Sequence, residues 1–181
     1  MTTDTFFNGR VRVNQDRSGY RFSIDAVLLA YYARPRPGDK IIDLGTGCGI
    51  IPVILAHRHP DITLYGIEVQ KALAEIATLN AKENRMSDRI TIIEKDLKLL
   101  EPQMVSGPVN LVVSNPPYRR ARSGRINSDP QQAIARHEIT ATLLDVVQAA
   151  FRVLRNSGRL VMIFPAERIT DIICQMRSSS I

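Results

Sequence analysis

Cysteine, long apolar runs and N-terminal sorting signals are scarce or missing in this sequence, and each shortage excludes a class of protein. The two cysteines, Cys48 and Cys174, lie far apart with no Cys or His neighbour at metal-ligand spacing, which argues against a disulfide framework and a zinc site. No apolar run approaches the roughly 20 residues a membrane helix needs. The opening stretch MTTDTFFNGRVRVNQD lacks the charged, apolar and small-residue order of a signal peptide. Internal repeats and low-complexity tracts are also missing. The expectation is a cytoplasmic protein with no membrane partner.

What is present is a chain of 181 residues, 44% hydrophobic and 23% charged, long enough for one domain with a substantial core. The net charge of +6 is modest evidence for a polyanionic partner. Its distribution says more. Arg10, Arg12, Arg17 and Arg21 gather near the start, and Arg119, Arg120, Arg122 and Arg125 form the cluster RRARSGR.

From Asp39 onward, β-rich runs alternate with helical patterns. KIIDL predicts a strand, Gly49 to His59 a helix that admits Pro52 in its first turn, and ITLYGIE a second strand. Gln70 to Asn84 is the clearest helix, with Leu73, Ile76, Ala77 and Leu79 or Asn80 at helical spacing. RITIIEKD and VNLVVSN predict strands three and four. A helix from about Thr140 to Leu154, the strand GRLVMIFP and a helix from Pro165 or Ala166 follow. This alternation implies a doubly wound α/β fold with a mostly parallel, Rossmann-like sheet. Residues 1–38 read as a less regular cap, with Phe22 to Tyr32 an amphipathic helix candidate, and residues 39–181 as the main domain. The stretch from the Arg cluster through SGRINSDPQQ has no clear periodicity and is long for an α/β connection, which suggests a functional or mobile loop.

Strand one runs into DLGTGCG, Asp43 to Gly49. In an open α/β sheet ligands sit beyond the carboxyl ends of the strands, where glycines let the backbone approach. The dinucleotide fingerprint fails, because Ile50 stands where the third glycine would be, and no Gly-Lys-Ser/Thr follows to make a Walker loop. The D-x-G-x-G-x-G spacing instead resembles motif one of class I S-adenosylmethionine-dependent methyltransferases. Glu68 ends strand two, where a carboxylate can accept both ribose hydroxyls. Asp96 follows strand three. By the resemblance it takes the adenine amino group of the cofactor, and the Leu97 N–H meets a ring nitrogen. Asp43, Gly45, Thr46, Gly47, Gly49, Glu68, Val69, Asp96, Leu97 and Asn115 are thus the candidate S-adenosylmethionine contacts, with S-adenosylhomocysteine as product.

VVSNPPY, Val112 to Tyr118, places Asn115, Pro116, Pro117 and Tyr118 at the end of strand four. A turn would explain Asn-Pro and Pro-Pro by themselves. Beside a methyl donor, the stretch resembles the N-P-P-Y motif of methyltransferases that act on a planar nitrogen. An exocyclic amine delocalises its lone pair into the ring. If the Asn115 side-chain oxygen and the Pro116 carbonyl each accept one N–H, the nitrogen is drawn toward a geometry that aims its lone pair at the methyl carbon. The prolines hold the acceptors rigid, and Tyr118 offers a stacking face for an extruded base. Arg119, Arg120, Arg122 and Arg125 would then meet the flanking phosphates, so tRNA or another structured RNA is the expected partner. A solvated charged loop is the other reading of that cluster.

Three more stretches, QDRSGYRFSIDAVLLAYYA, NPPYRR and ARHE, are similar to the bacterial tRNA adenine-N6 methyltransferases that modify the adenine beside the anticodon of a valine tRNA. That resemblance implies that Arg21, Phe22 and Asp25 help close the cofactor pocket and that Arg136, His137 and Glu138 sit near its mouth. It also implies C-terminal incompleteness, since class I methyltransferases usually add two strands beyond the fifth, which would leave strand five as an exposed edge. Protein-glutamine N5-methyltransferases share N-P-P-Y but usually carry an N-terminal helical domain that 38 residues cannot supply. DNA adenine methyltransferases normally add a target-recognition domain. A non-catalytic cofactor- or RNA-binding scaffold would have no reason to keep Asn115. The mechanism needs no metal, and His57 and His59 read as solvent-facing residues at a helix end. Oligomeric state stays open.

Overall fold

The computed structural model describes residues 1–17, 21–116 and 141–178. Two strands open it, β1 (Thr2–Phe6) and β2 (Val11–Gln15), paired antiparallel as a hairpin. Sequence periodicity alone leaves this region irregular. The partly buried positions of β1 are Thr2, Asp4 and Phe6, two of them polar, so no apolar alternation announces the strand. β2 supplies Val11 and Val13, both fully buried, to the main core.

Helix α1 (Ile24–Tyr32) leads into β3 (Lys40–Leu44), α2 (Ile50–Arg58), β4 (Thr63–Glu68), α3 (Lys71–Glu83) and β5 (Ile90–Glu94). Short 3-10 turns then connect to β6 (Val109–Ser114). After residues 117–140, α4 (Leu143–Val153) runs directly into β7 (Leu154–Met162), and α5 (Ile169–Ser178) follows a 3-10 turn. The predicted elements therefore form, with ends displaced by a few residues. The largest displacement is at β7, which starts at Leu154 instead of Gly158. Val109 pairs with Leu154, and the register then jumps to Leu111 opposite Arg159, so the turn-like residues between them are absorbed as an irregularity. Ser157 sits there at φ 62°.

The five longer-range strands pair in parallel in the order β5-β4-β3-β6-β7. Ile41 and Ile42 of β3 are both fully buried but belong to cores on opposite faces of the sheet. One core takes the hairpin, α1 and α2, and the other takes α4. This two-faced burial explains the continuous apolar strands. α2 is buried along Ile50–Ala56, whereas α4 buries one face and is fixed at its start by a capping box between Thr142 and Asp145. Strand order reverses at β3, which has β4 on one side and β6 on the other. A crevice opens at the carboxyl ends of such a pair. β7 lies at one edge of the sheet.

Cys48 is a buried free thiol and Cys174 an exposed one. Among the described residues no helix is long and apolar enough to cross a membrane. None of their His, Cys, Asp or Glu side chains gather in a group that could hold a metal ion.

Candidate active site

The crevice is a cleft with Leu44, Ile67, Leu73, Leu97 and Val146 as its apolar lining. Its polar positions come from the carboxyl ends of four neighbouring strands: Gly45 and Gly47 after β3, Glu68 ending β4, Asp96 after β5, and Ser114 with Asn115 and Pro116 at the end of β6. Val69 and Leu97 line it as well. Of the residues singled out from sequence, Gly45, Gly47, Glu68, Val69, Asp96, Leu97, Asn115 and Pro116 are thus brought together in one place.

Each is held by a specific contact. Gly45 and Thr46 donate their N–H groups to the Ile67 carbonyl at 2.9 and 3.0 Å, which folds the glycine-rich turn over the end of β4. Glu68 is almost fully buried. Its Oε2 accepts the Gly47 N–H and its Oε1 the Gln70 N–H, each at 2.9 Å. Burial raises the Glu68 pKa, and those backbone donors oppose the rise. The Val69 N–H and the Gln70 side chain add two further donors, so the carboxylate is held in its charged form at the edge of the cleft. Asp96 accepts the Lys98 N–H at 2.9 Å and keeps its Nζ at 3.4 Å. A Cβ built on Gly45 would meet no heavy atom within 4 Å, so the turn leaves space for a ligand.

Asp43 does not line the cleft. It is fully buried beneath the turn, where its Oδ2 accepts the Thr46 hydroxyl at 2.6 Å and its Oδ1 has no hydrogen-bond partner. Burial pushes its carboxyl up to about 7, opposed by the Thr46 hydroxyl and reinforced by the Glu68 charge. Its role in this structure is to shape the turn. Gly49 is also behind the turn: at φ 80° it starts α2, and a Cβ there would lie 3.0 Å from the Ala77 Cβ.

A second, smaller recess is lined by Phe22, Ala26, Gly45, Thr46, Cys48, Ile50, Ile51 and Asn115. Asn115 and Gly45 line both spaces. Asn115 Oδ1 is buried without a hydrogen-bond partner, and such an orphaned acceptor costs stability unless a ligand supplies the donor. Phe22 lines this recess and not the larger cleft. Its two companions from the sequence reading do not join it. Arg21 is half-exposed and pairs with Asp4 at 3.3 Å, and Asp25 lines a separate cleft with Ile163, Phe164 and Pro165. Pro117, Tyr118, Arg119, Arg120, Arg122, Arg125, Arg136, His137 and Glu138 lie outside the described residues.

Several contributors were not singled out from sequence. Ser114 ends β6 and donates its hydroxyl to the Leu44 carbonyl at 2.8 Å, locking together the two strands that carry Gly45 and Asn115. Gln70 lends Glu68 a backbone donor, and Gly66 lets Thr46 approach β4, since a Cβ there would stand 2.9 Å from Thr46 Cγ2. Asn80 is the buried member of the Leu79 or Asn80 alternative. A polar residue at a core-facing helical position was its only signal.

The methyltransferase small domain family matches residues 23–171. A tRNA1(Val) (adenine(37)-N6)-methyltransferase of Porphyromonas gingivalis is 36% identical over 95% of this chain and 69% of its own length. One from Aeromonas hydrophila is 31% identical over 90% and 66%. Among solved structures, a SAM-dependent O-methyltransferase from Thermotoga maritima superposes with a TM-score of 0.61 at 18% identity, covering 90% of this chain and 52% of that one. A SAM-dependent methyltransferase from Thiobacillus denitrificans in complex with S-adenosyl-L-homocysteine gives 0.56 at 17%, covering 78% and 48%. These structures share the class I methyltransferase fold. The identity over nearly the whole chain goes beyond shared fold, and the chain belongs to the methyltransferase small domain family.

Proposed function

We propose that this protein is an S-adenosylmethionine-dependent methyltransferase acting on the N6 atom of an adenine in tRNA. The observation that carries the chemistry is Asn115 Oδ1, a buried acceptor without a partner where the cleft and the Phe22 recess meet. An amino group on a planar ring brings the missing donor. By accepting that N–H, Asn115 would hold the nitrogen with its lone pair directed into the cleft, with the Pro116 carbonyl as the second acceptor. When bound, S-adenosylmethionine supplies an electrophilic sulfonium methyl group. The residues present fit it: the Glu68 carboxylate lines the cleft where it could exchange a protein donor for a ribose hydroxyl, Asp96 lines it for an adenine amino group, and Leu44, Ile67, Leu73, Leu97 and Val146 give it apolar walls.

RNA as the substrate is favoured by the names of the relatives and by the charge of the chain. Pro116 and Ala141, the described residues on either side of the segment with the Arg cluster, both line the cleft. The anticodon-loop adenine of a valine tRNA is the specific target suggested by those names.

The test is to incubate the protein with S-adenosylmethionine and unmodified bulk tRNA, digest the RNA, and look for N6-methyladenosine by mass spectrometry. Its appearance is the expected result. A protein that binds the cofactor but leaves tRNA unmodified would overturn the substrate, and release factors and DNA would be assayed next.

A further inference from the structure

Asn80 lies within α3, fully buried, where three parts of the molecule meet. Its Nδ2 donates to the Cys48 carbonyl at 2.8 Å and to the Asn14 carbonyl at 3.0 Å. Its Oδ1 accepts the Asn14 backbone N–H at 2.8 Å and the Asn14 Nδ2 at 3.0 Å. A carboxamide has two donor hydrogens and two acceptor lone pairs, so its capacity is filled. Cys48 stands between Gly47, whose N–H is held by Glu68, and Gly49, which starts α2. Asn14 belongs to β2. Its neighbour Gln15 accepts the Phe22 N–H at 3.0 Å and donates to Asp4. Phe22 lines the recess beside Asn115. A leucine would fill the core face of α3 without a buried polar group to satisfy. What the amide adds is a link between the glycine-rich turn and the N-terminal hairpin.

We propose that Asn80 is a positioning residue that couples the hairpin to the cofactor turn, so that a ligand in the cleft and the docked hairpin hold each other in place. This rests on the reading of the cleft as an S-adenosylmethionine site. Coupling between two sites is reciprocal. A ligand that orders Gly47 to Gly49 must therefore stabilise β2 and the position of Phe22, although none of residues 1–17 lines the cleft.

The experiment is hydrogen exchange of the protein with and without saturating S-adenosylhomocysteine, together with calorimetric titration of that ligand. The β2 amides are expected to exchange several-fold more slowly when it is bound. Asn80→Asp keeps the shape and the acceptor for the Asn14 N–H groups but presents an oxygen to the Cys48 and Asn14 carbonyls, which breaks the link at both ends. It should bind about tenfold more weakly and lose the ligand-induced slowing in β2. Asn84→Ala touches no atom of the turn. It removes the bonds that Asn84 makes to the Arg12 backbone at 2.9 and 2.6 Å, and a smaller loss of affinity, about threefold, is expected from it. Unchanged β2 exchange in the ligand-bound parent overturns the coupling, as does an Asn80→Asp protein with a lower melting temperature but parental affinity. If Asn80→Asp does not fold, the parent exchange and Asn84→Ala decide. A parent that does not bind the ligand at all overturns the cofactor reading on which the coupling stands.

Discussion

At the scale of single residues, the site separates into groups that line the cleft and groups that hold those in place. Asn115 is in the first group. Asn115→Ala should lower turnover by about a hundredfold, equivalent to about 2.7 kcal/mol of transition-state stabilisation, while the affinity for S-adenosylhomocysteine stays within about twofold of the parent. Single-turnover kinetics paired with titration checks both, and near-parental turnover would remove the amide from the mechanism. Asp43 is in the second group. Its ordinary carboxyl pKa of 3.8 is raised to about 7 in the folded chain, so between those values the folded state holds a proton that the unfolded state has released. Stability then falls as pH rises through that window. Asp43→Asn cannot titrate there, so its stability relative to the parent should climb between about pH 4 and 7 without ligand. Urea unfolding at several pH values measures this, and a difference that stays flat with pH would show that the Asp43 proton is not linked to folding.

At the scale of elements, the glycine-rich turn depends on how closely α2 sits against α3. Gly49 has φ 80° and would place a Cβ 3.0 Å from the Ala77 Cβ, so Gly49→Ala adds a left-handed strain to a packing conflict. Gly38 has nearly the same φ of 79°, but a Cβ there would meet nothing within 4 Å. Gly38→Ala should cost about 1 kcal/mol from strain alone, and Gly49→Ala about 1 to 3 kcal/mol more from overpacking. Equal losses in urea unfolding would show that the α2–α3 contact yields at no cost. The same elements show the limits of reading local pattern. β3 and β6 were legible because strands buried on both faces are largely apolar, and β4 and β5 because their β-branched runs lie between helical patterns. The hairpin was not, because β1 turns Thr2 and Asp4 inward and β2 is held by contacts such as that of Asn14 with the Asn80 amide, which are distant in sequence.

For the molecule as a whole, the net charge of +6 and the place of the Arg cluster in sequence, between the cleft residues Pro116 and Ala141, bear on how a polyanion would be held. Reversing Arg119, Arg120, Arg122 and Arg125 to Glu should weaken tRNA binding and flatten its dependence on salt, because every phosphate that is no longer neutralised keeps its condensed counterion, about one per arginine. Filter binding across a salt series would detect this. An unchanged slope would take those arginines out of the interface.

The sequence by itself determined the doubly wound α/β order, the turn after the first parallel strand, the acids at successive strand ends and the Asn-Pro-Pro stretch. Each is written in local spacing: period, glycine placement and strand termination involve neighbours in the chain. Only the tertiary structure decided which of these residues line the cleft and its neighbouring recess. It turned Asp43 under the turn, set Arg21 and Asp25 away from the cleft, and brought Phe22 opposite Asn115. It also made Asn80 the link between elements 66 residues apart in sequence. Burial and hydrogen bonding of this kind depend on how separate elements pack, and local spacing carries no record of that packing.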